Sequence, residues 1–414
     1  MRMTATAAAT TAPASAPIEF NPLSPEFIRD PYPFYHRLRA AAAMPRTPFG
    51  PYLASRYEDV AAVLRDKRFG KDFEDRIIRR YGDKVFDEPV YDSVRHWMLE
   101  MDPPDHTRLR GLVVKAFTAR TVEDMRPRIQ AIVDATLDKV SPQGRMDVMH
   151  EFAYQLPVTV ICEMLGIPDA DRDQFLANPG VGGRLLDPVP LSPAELAIAN
   201  QANLAQAAYF HGLFELRRRE PGDDLITQLV QAEEAGNKLS EKELTGNIML
   251  LFGAGHETTV NLIGNGLLAL HRNPDQLEKL KRDPSLMPNA IEELLRYDSS
   301  VQLTGRTALE DIEIGGITIA RGESVMCLLG AANRDPAIFP DPDRLDITRP
   351  AIRPLSFGGG IHFCLGAQLA RIEGEIALNA LLARLPDLTL DDTENPAWRQ
   401  TFVLRGLTAL PASW

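Results

Sequence analysis

The chain has little cysteine: Cys162, Cys327 and Cys364 are the only three in 414 residues. An odd, scattered set offers no disulfide framework and excludes a small stapled scaffold. A reducing, cytoplasmic setting is expected. Long apolar runs are also lacking, so no segment reaches the ~20 residues of a membrane-spanning helix. No Gly/Ser or charged linker divides the middle and no repeat recurs, so one body is expected where length alone suggests two or three domains. Residues 1–17 are rich in Ala, Thr and Pro but have no apolar core of a signal peptide. We expect a disordered tail there and a single domain over 18–414, with no membrane anchor. Positive charge is short as well: 45 Lys and Arg face 57 Asp and Glu, a formal net charge of −12. That argues against nucleic acid as a partner.

What is present is ordinary core material, 44% apolar and 25% charged, patterned mostly as helix with a small β-rich part. Periodicity predicts helices over 56–66, 102–117, 121–140, 151–166, 192–220, 274–282, 287–298 and 366–385. Asp102-Pro103-Pro104 reads as a cap with proline in the first turn. The longest helix is expected from about Ser240 to Arg272. Capping boxes, Ser192 with Glu195 and Ser240 with Glu243, open two of these helices. Short strands fit 50–55, 311–319, 323–328 and 401–410.

Cys364 carries the most information. It lies in Ser356-Phe357-Gly358-Gly359-Gly360-Ile361-His362-Phe363-Cys364-Leu365-Gly366, a glycine-rich loop that runs into a helix. A cysteine at a helix N-terminus is expected to have a lowered pKa and to serve as nucleophile or metal ligand. Zinc would need about four N/S ligands, and no second Cys or paired His lies nearby. A lone thiolate in an apolar, glycine-lined niche suits haem iron, with Phe357 beside the sulfur and His362 as a polar donor. The alternative, on the residues alone, is a buried structural cysteine in a turn.

The pattern Phe-x-x-Gly-x-x-x-Cys-x-Gly resembles the haem-binding loop of the cytochrome P-450 family. Further motifs, in family order, resemble it from about Asn21-Pro22 to Gly406-Leu407-Thr408. Ala254-Gly255-His256-Glu257-Thr258-Thr259 is similar to the oxygen-activation motif of the long central helix. There small residues leave room for dioxygen and substrate, and an acid beside an alcohol makes a plausible proton relay. His256 reads as a neighbour on another face. Glu293-Leu294-Leu295-Arg296 is similar to the E-x-x-R motif, whose pair engages an arginine of the meander before the cysteine loop; Arg344 is the expected partner. These three are assigned to fold and haem assembly. His106 and Arg110 on one helix face, Arg306 and His362 are similar to the residues that meet the haem propionates.

The resemblance implies a mainly α fold with small sheets, a long central helix over haem b, and Cys364 as iron ligand. Ala254, Phe357, Gly358 and Gly366 would line the cofactor, and Glu257 and Thr258 would form the relay. It implies a monooxygenase that inserts one atom of O2 into a small, mostly apolar substrate. Electrons would come from NAD(P)H through an external reductase and a ferredoxin, to a monomeric enzyme. By family position the pocket draws on the 71–100 loop, the 175–195 region, Leu250, Gly253, Ala254, Val301, Gln302, Leu303, Phe402 and Val403. Arg108, Lys115 and Arg371 are expected to gather on the Cys364 side as a docking face for an acidic ferredoxin. Two alternatives remain at this point. One is a peroxide-driven or isomerase/dehydratase-type haem-thiolate enzyme. The other is a non-catalytic haem ligand sensor.

Overall fold

A computed structural model describes residues 20–47, 50–172, 182–234 and 239–414; the expected tail lies outside these residues. The frame is the helix Glu241–Arg272, 32 residues long, about 48 Å at 1.5 Å per residue. Ser240 accepts the Glu243 N–H and Glu243 reaches back to the cap, so both orphan donors are satisfied. The helices Gln155–Leu165, Met287–Tyr297 and Ala367–Arg384 pack around it. Their buried faces merge into the largest apolar core. Its two central glycines have different reasons. A Cβ on Gly255 would stand 2.9 Å from Ile161 Cδ1, so this glycine lets the helix Gln155–Leu165 approach; a Cβ on Gly253 would meet nothing within 4 Å beyond its own helix among the described residues. The first buys close packing, and the second borders open space.

The β-rich part is a four-stranded sheet in the order Tyr52–Ala54, Ser324–Leu328, Leu303–Ala308, Phe69–Gly70. Leu303–Ala308 was not expected as a strand. It pairs antiparallel with Ser324–Leu328 and places Arg306 opposite Val325. The expected strand 311–319 is a hairpin of Ile312–Ile314 and Ile317–Ile319, turned at Gly315 and Gly316 with φ of +57° and +79°. The expected strand 401–410 shortens to Leu407–Ala409, paired with Ala397–Trp398. The reason is local: the Phe402 and Val403 N–H groups donate to the buried Asp187 carboxylate, at 3.0 and 2.8 Å, in place of a neighbouring strand.

Asp102 also differs from expectation. The helix starts later, at Asp105–Val113, with Pro104 at its cap position. The Asp102 carboxylate instead accepts the N–H groups of Lys71 and Asp72, each at 2.9 Å. Among the described residues no helix is long and apolar enough to cross a membrane.

Candidate active site

The cysteine loop is held by its backbone. The Cys364 N–H donates to the Phe357 carbonyl at 2.9 Å, and the Gly358 N–H to Leu355 at 2.8 Å. Gly360 has φ +67°, and a Cβ there would lie 2.1 Å from the Leu64 carbonyl oxygen. Glycine is therefore required both by conformation and by contact with the helix Tyr57–Arg65. Of the three cysteines only Cys364 is exposed. Burial pushes the thiols of Cys162 and Cys327 up to about 12.

The Cys364 thiol is also raised, contrary to the expectation from its position. Desolvation by the surrounding protein outweighs the Gly366 N–H and the charges of Arg110 and Arg371, which favour thiolate. Its exposed surface thus lies in a recess crowded by protein. A cation against the sulfur would make thiolate the stable form, which is what a metal centre provides.

Beside the loop lies an excess of positive charge. His106 and His362 have ring centroids 4.3 Å apart. Burial, then Lys71, Arg306, His106 and Arg110, hold the His362 imidazole far below its usual value. Its Nε2 is buried with no hydrogen-bond partner among the described residues. Arg306 is buried and donates to Gly305 O at 2.9 Å and Thr304 Oγ1 at 3.4 Å, both on its own strand. Arg110 reaches the Phe363 carbonyl at 2.6 Å. Lys71, which the sequence reading passed over, is buried and pushed down to about 8, with Glu100 at 3.6 Å. Among the described residues, Glu100 is the carboxylate that pairs into this group. Buried cations need partners, and two carboxylates on one flat ligand would supply them. The orphaned imidazole, the uncompensated cations and the recessed thiol fit haem b.

On the central helix, Ala254 is exposed although Phe252 and His256 beside it are buried. Leu250 is buried one turn earlier. The Thr258 hydroxyl donates to the Ala254 carbonyl at 3.1 Å, the back-bond that loosens a helix ladder. Glu257 is paired with Arg399 at 2.9 Å, and both side chains are only 14% exposed. Burial raises the Glu257 pKa more than Arg399 lowers it. His256 points elsewhere: its ring nitrogens meet Phe252 O at 2.7 Å and the Tyr154 hydroxyl at 3.3 Å.

The buried ion pair of Glu293 and Arg296 is present, at 2.7 Å and fully enclosed. Its third member is Arg349, not Arg344. Arg349 Nε lies 3.3 Å from Glu293 and its other nitrogens donate to the carbonyls of Pro340, Asp341 and Arg344. The Arg344 side chain is 62% exposed beside Asp346; only its backbone carbonyl joins the network.

Two further expectations change. Arg108 is engaged by Glu243 and Asp105, and Arg371 by Glu292 and the face of Phe357; Lys115 alone of the three is exposed without an ion pair among the described residues. In the expected pocket, Phe402 sits edge-on to Phe20 and Phe27 in an aromatic core. Gln302 is buried, accepting from the Tyr35 hydroxyl at 3.0 Å and donating to Ser299 O at 2.8 Å. Both are core, because every polar group of Gln302 is spent inside and Phe402 is ringed by aromatics. Leu303 and Val403 are buried in the same cluster, with Val301 half-buried against it. Gly253 borders the open space. Of the 175–195 region, residues 175–181 lie outside the described residues.

The cytochrome P-450 family profile matches residues 197–405. A cytochrome P-450 of Xylella fastidiosa, 133B2, is 45% identical over 389 residues, covering 94% of this chain and 97% of its own. The vitamin D(3) 25-hydroxylase of Pseudonocardia autotrophica is 44% identical, covering 94% of each chain. Among solved structures, P450BioI in complex with acyl carrier protein ligated to hexadec-9Z-enoic acid matches with a TM-score of 0.87 at 40% identity. It covers 94% of this chain and 100% of that one.

Proposed function

The chain belongs to the cytochrome P-450 family, enzymes that bind haem b and act as monooxygenases, and from this premise we propose how its own residues serve that chemistry. The observation that carries the proposal is the recessed Cys364 thiol beside Lys71, His106, Arg110, Arg306 and His362. Cys364 would ligate the iron, and the cations would hold the propionates, Arg306 by its planar fork. Phe357, Gly358, Gly366 and Ala254 would line the ring. Bound there, haem supplies the iron at which dioxygen is reduced, one oxygen atom going to the substrate and the other to water.

The protein's part is to place protons and exclude water. Thr258 holds a hydroxyl against the loosened Ala254 carbonyl, where it can pass a hydrogen bond on. Burial raises Glu257 above the usual carboxylate range, which favours the protonated form a donor needs. We assign hydroxylation or epoxidation of a small, mostly apolar substrate. Open space at Gly253, with Leu250 near by, supports this, as do the names of the relatives, one a vitamin D(3) 25-hydroxylase and one in complex with a fatty-acid-ligated acyl carrier protein.

The test is direct. Thr258→Ala should keep haem and substrate binding yet divert reducing equivalents to peroxide. Glu257→Gln should slow coupled turnover by about 100-fold. Wild-type rate and coupling in both variants would make these residues structural. The electron donor we assign is a ferredoxin served by an NAD(P)H-dependent reductase. Because Arg108 and Arg371 already have carboxylate partners, Lys115 is the exposed cation left to steer it. Reduction by ferredoxin should slow as salt shortens the Debye length, about 10 Å at 0.1 M, and in Lys115→Glu. A rate indifferent to both would move electron entry to another face.

A further inference from the structure

The charged partner of the relay acid is Arg399. It lies after the strand Ala397–Trp398, 142 residues from Glu257 in sequence. Its backbone N–H donates to Gly406 O at 2.9 Å and its Nε to Leu407 O at 3.3 Å, so the hairpin fixes the guanidinium. Its Nη1 then meets Glu257 Oε1 at 2.9 Å, both side chains 14% exposed. Gly183 also closes in: a Cβ there would stand 3.2 Å from the same Oε1. The carboxylate is therefore held by a fixed cation and crowded by a glycine, where a side chain would have little room.

We propose that Arg399 is a positioning residue for Glu257, fixing its carboxyl group and stabilising the charge left when that group gives up its proton. The proposal rests on the reading of Glu257 as the relay acid. The balance is simple. A proton leaves the carboxyl toward the Thr258 side, the carboxylate left behind already faces Arg399, and the next proton comes from solvent water. Two facing charges act on the acid in opposite senses: Arg399 favours the carboxylate and Asp187 opposes it. Asp187 is itself tied to Arg184 at 2.7 Å and to the Phe402 and Val403 N–H groups. Tyr154 feels both Glu257 and Arg399. His256, pushed down to about 4 by burial, stays neutral beside them. Among the described residues, Arg399 is the group that offsets burial and Asp187 at this carboxylate.

The experiment titrates Glu257 in the haem-loaded protein by infrared difference spectroscopy. The protonated-carboxyl band is identified by its loss in Glu257→Gln. Product formed per NAD(P)H is followed across pH in parallel. In Arg399→Gln the band should persist to higher pH than in wild type, and the alkaline limb of the profile should move the same way. Coupled turnover should fall about tenfold, less than on removing the acid. Arg399→Lys, which keeps the charge, should restore both. If Arg399→Gln does not load haem, Arg399→His in mildly alkaline buffer, where imidazole is neutral, should show the same shift. An unmoved band and profile, with Glu257→Gln slow, would overturn the proposal alone. A Glu257→Gln enzyme as fast as wild type would remove the relay reading and the proposal with it.

Discussion

Cys364→Ser protein, reduced and treated with CO, should lack the red-shifted Soret band that names the family, while Cys162→Ser and Cys327→Ser proteins keep it. Turnover should fall with the band to background. The contrast follows from exposure: Cys364 alone can meet a ligand, whereas the other two thiols are buried and pushed up to about 12. The result also follows from electrostatics. The Cys364 recess disfavours bare thiolate, so the charged form depends on the metal it binds, and serine does not replace it as a ligand. A normal band in Cys364→Ser would place the ligand elsewhere.

The next largest effect should come from the ion cluster under the meander. Glu293→Ala leaves Arg296 and Arg349 buried and unpaired, an error that costs about 3–5 kcal/mol. Against a typical total of about 5–15 kcal/mol, this should leave little folded, haem-loaded protein. Arg349→Ala should also destabilise strongly, because it removes an Nε contact to Glu293 and donors to three meander carbonyls. Arg344→Ala should change stability by about 0.5 kcal/mol or less, since its exposed side chain meets only Asp346. Denaturant midpoints of the three variants check this. A costly Arg344→Ala with a neutral Arg349→Ala would restore the assignment made from sequence.

Legibility followed chemistry more than position. The Cys364 loop could be read because glycine, aromatic and thiol occur at fixed spacing along one short segment, and local geometry then leaves few choices. The central helix could be read from its capping box and apolar period, and the structure adds the separate reasons for Gly253 and Gly255. Arg349 could not be told from Arg344, because both lie in one irregular segment and only the tertiary turn decides which side chain goes inward. Lys71 and Arg399 were missed because nothing near them in sequence marks them; each acquires its role from a partner brought in by the fold. The strand Leu303–Ala308 was hidden by Gly305 and by an arginine that interrupts any alternation. Phe402 shows why apolar character alone does not separate a pocket wall from a core. Placing Asp102 as a cap failed for a related reason: its carboxylate found better donors at Lys71 and Asp72 than at the helix start.

The central claim is that this chain's residues support insertion of one oxygen atom from O2. The most direct measurement supplies wild-type enzyme with a surrogate ferredoxin, its reductase, NAD(P)H and isotopically labelled O2. The substrate is an apolar compound chosen for displacing the haem water in a spectral screen. The account predicts product carrying one labelled oxygen atom, with NAD(P)H and O2 consumed in equal amounts. Product whose new oxygen comes from water, or product formed without O2 consumption, would contradict it.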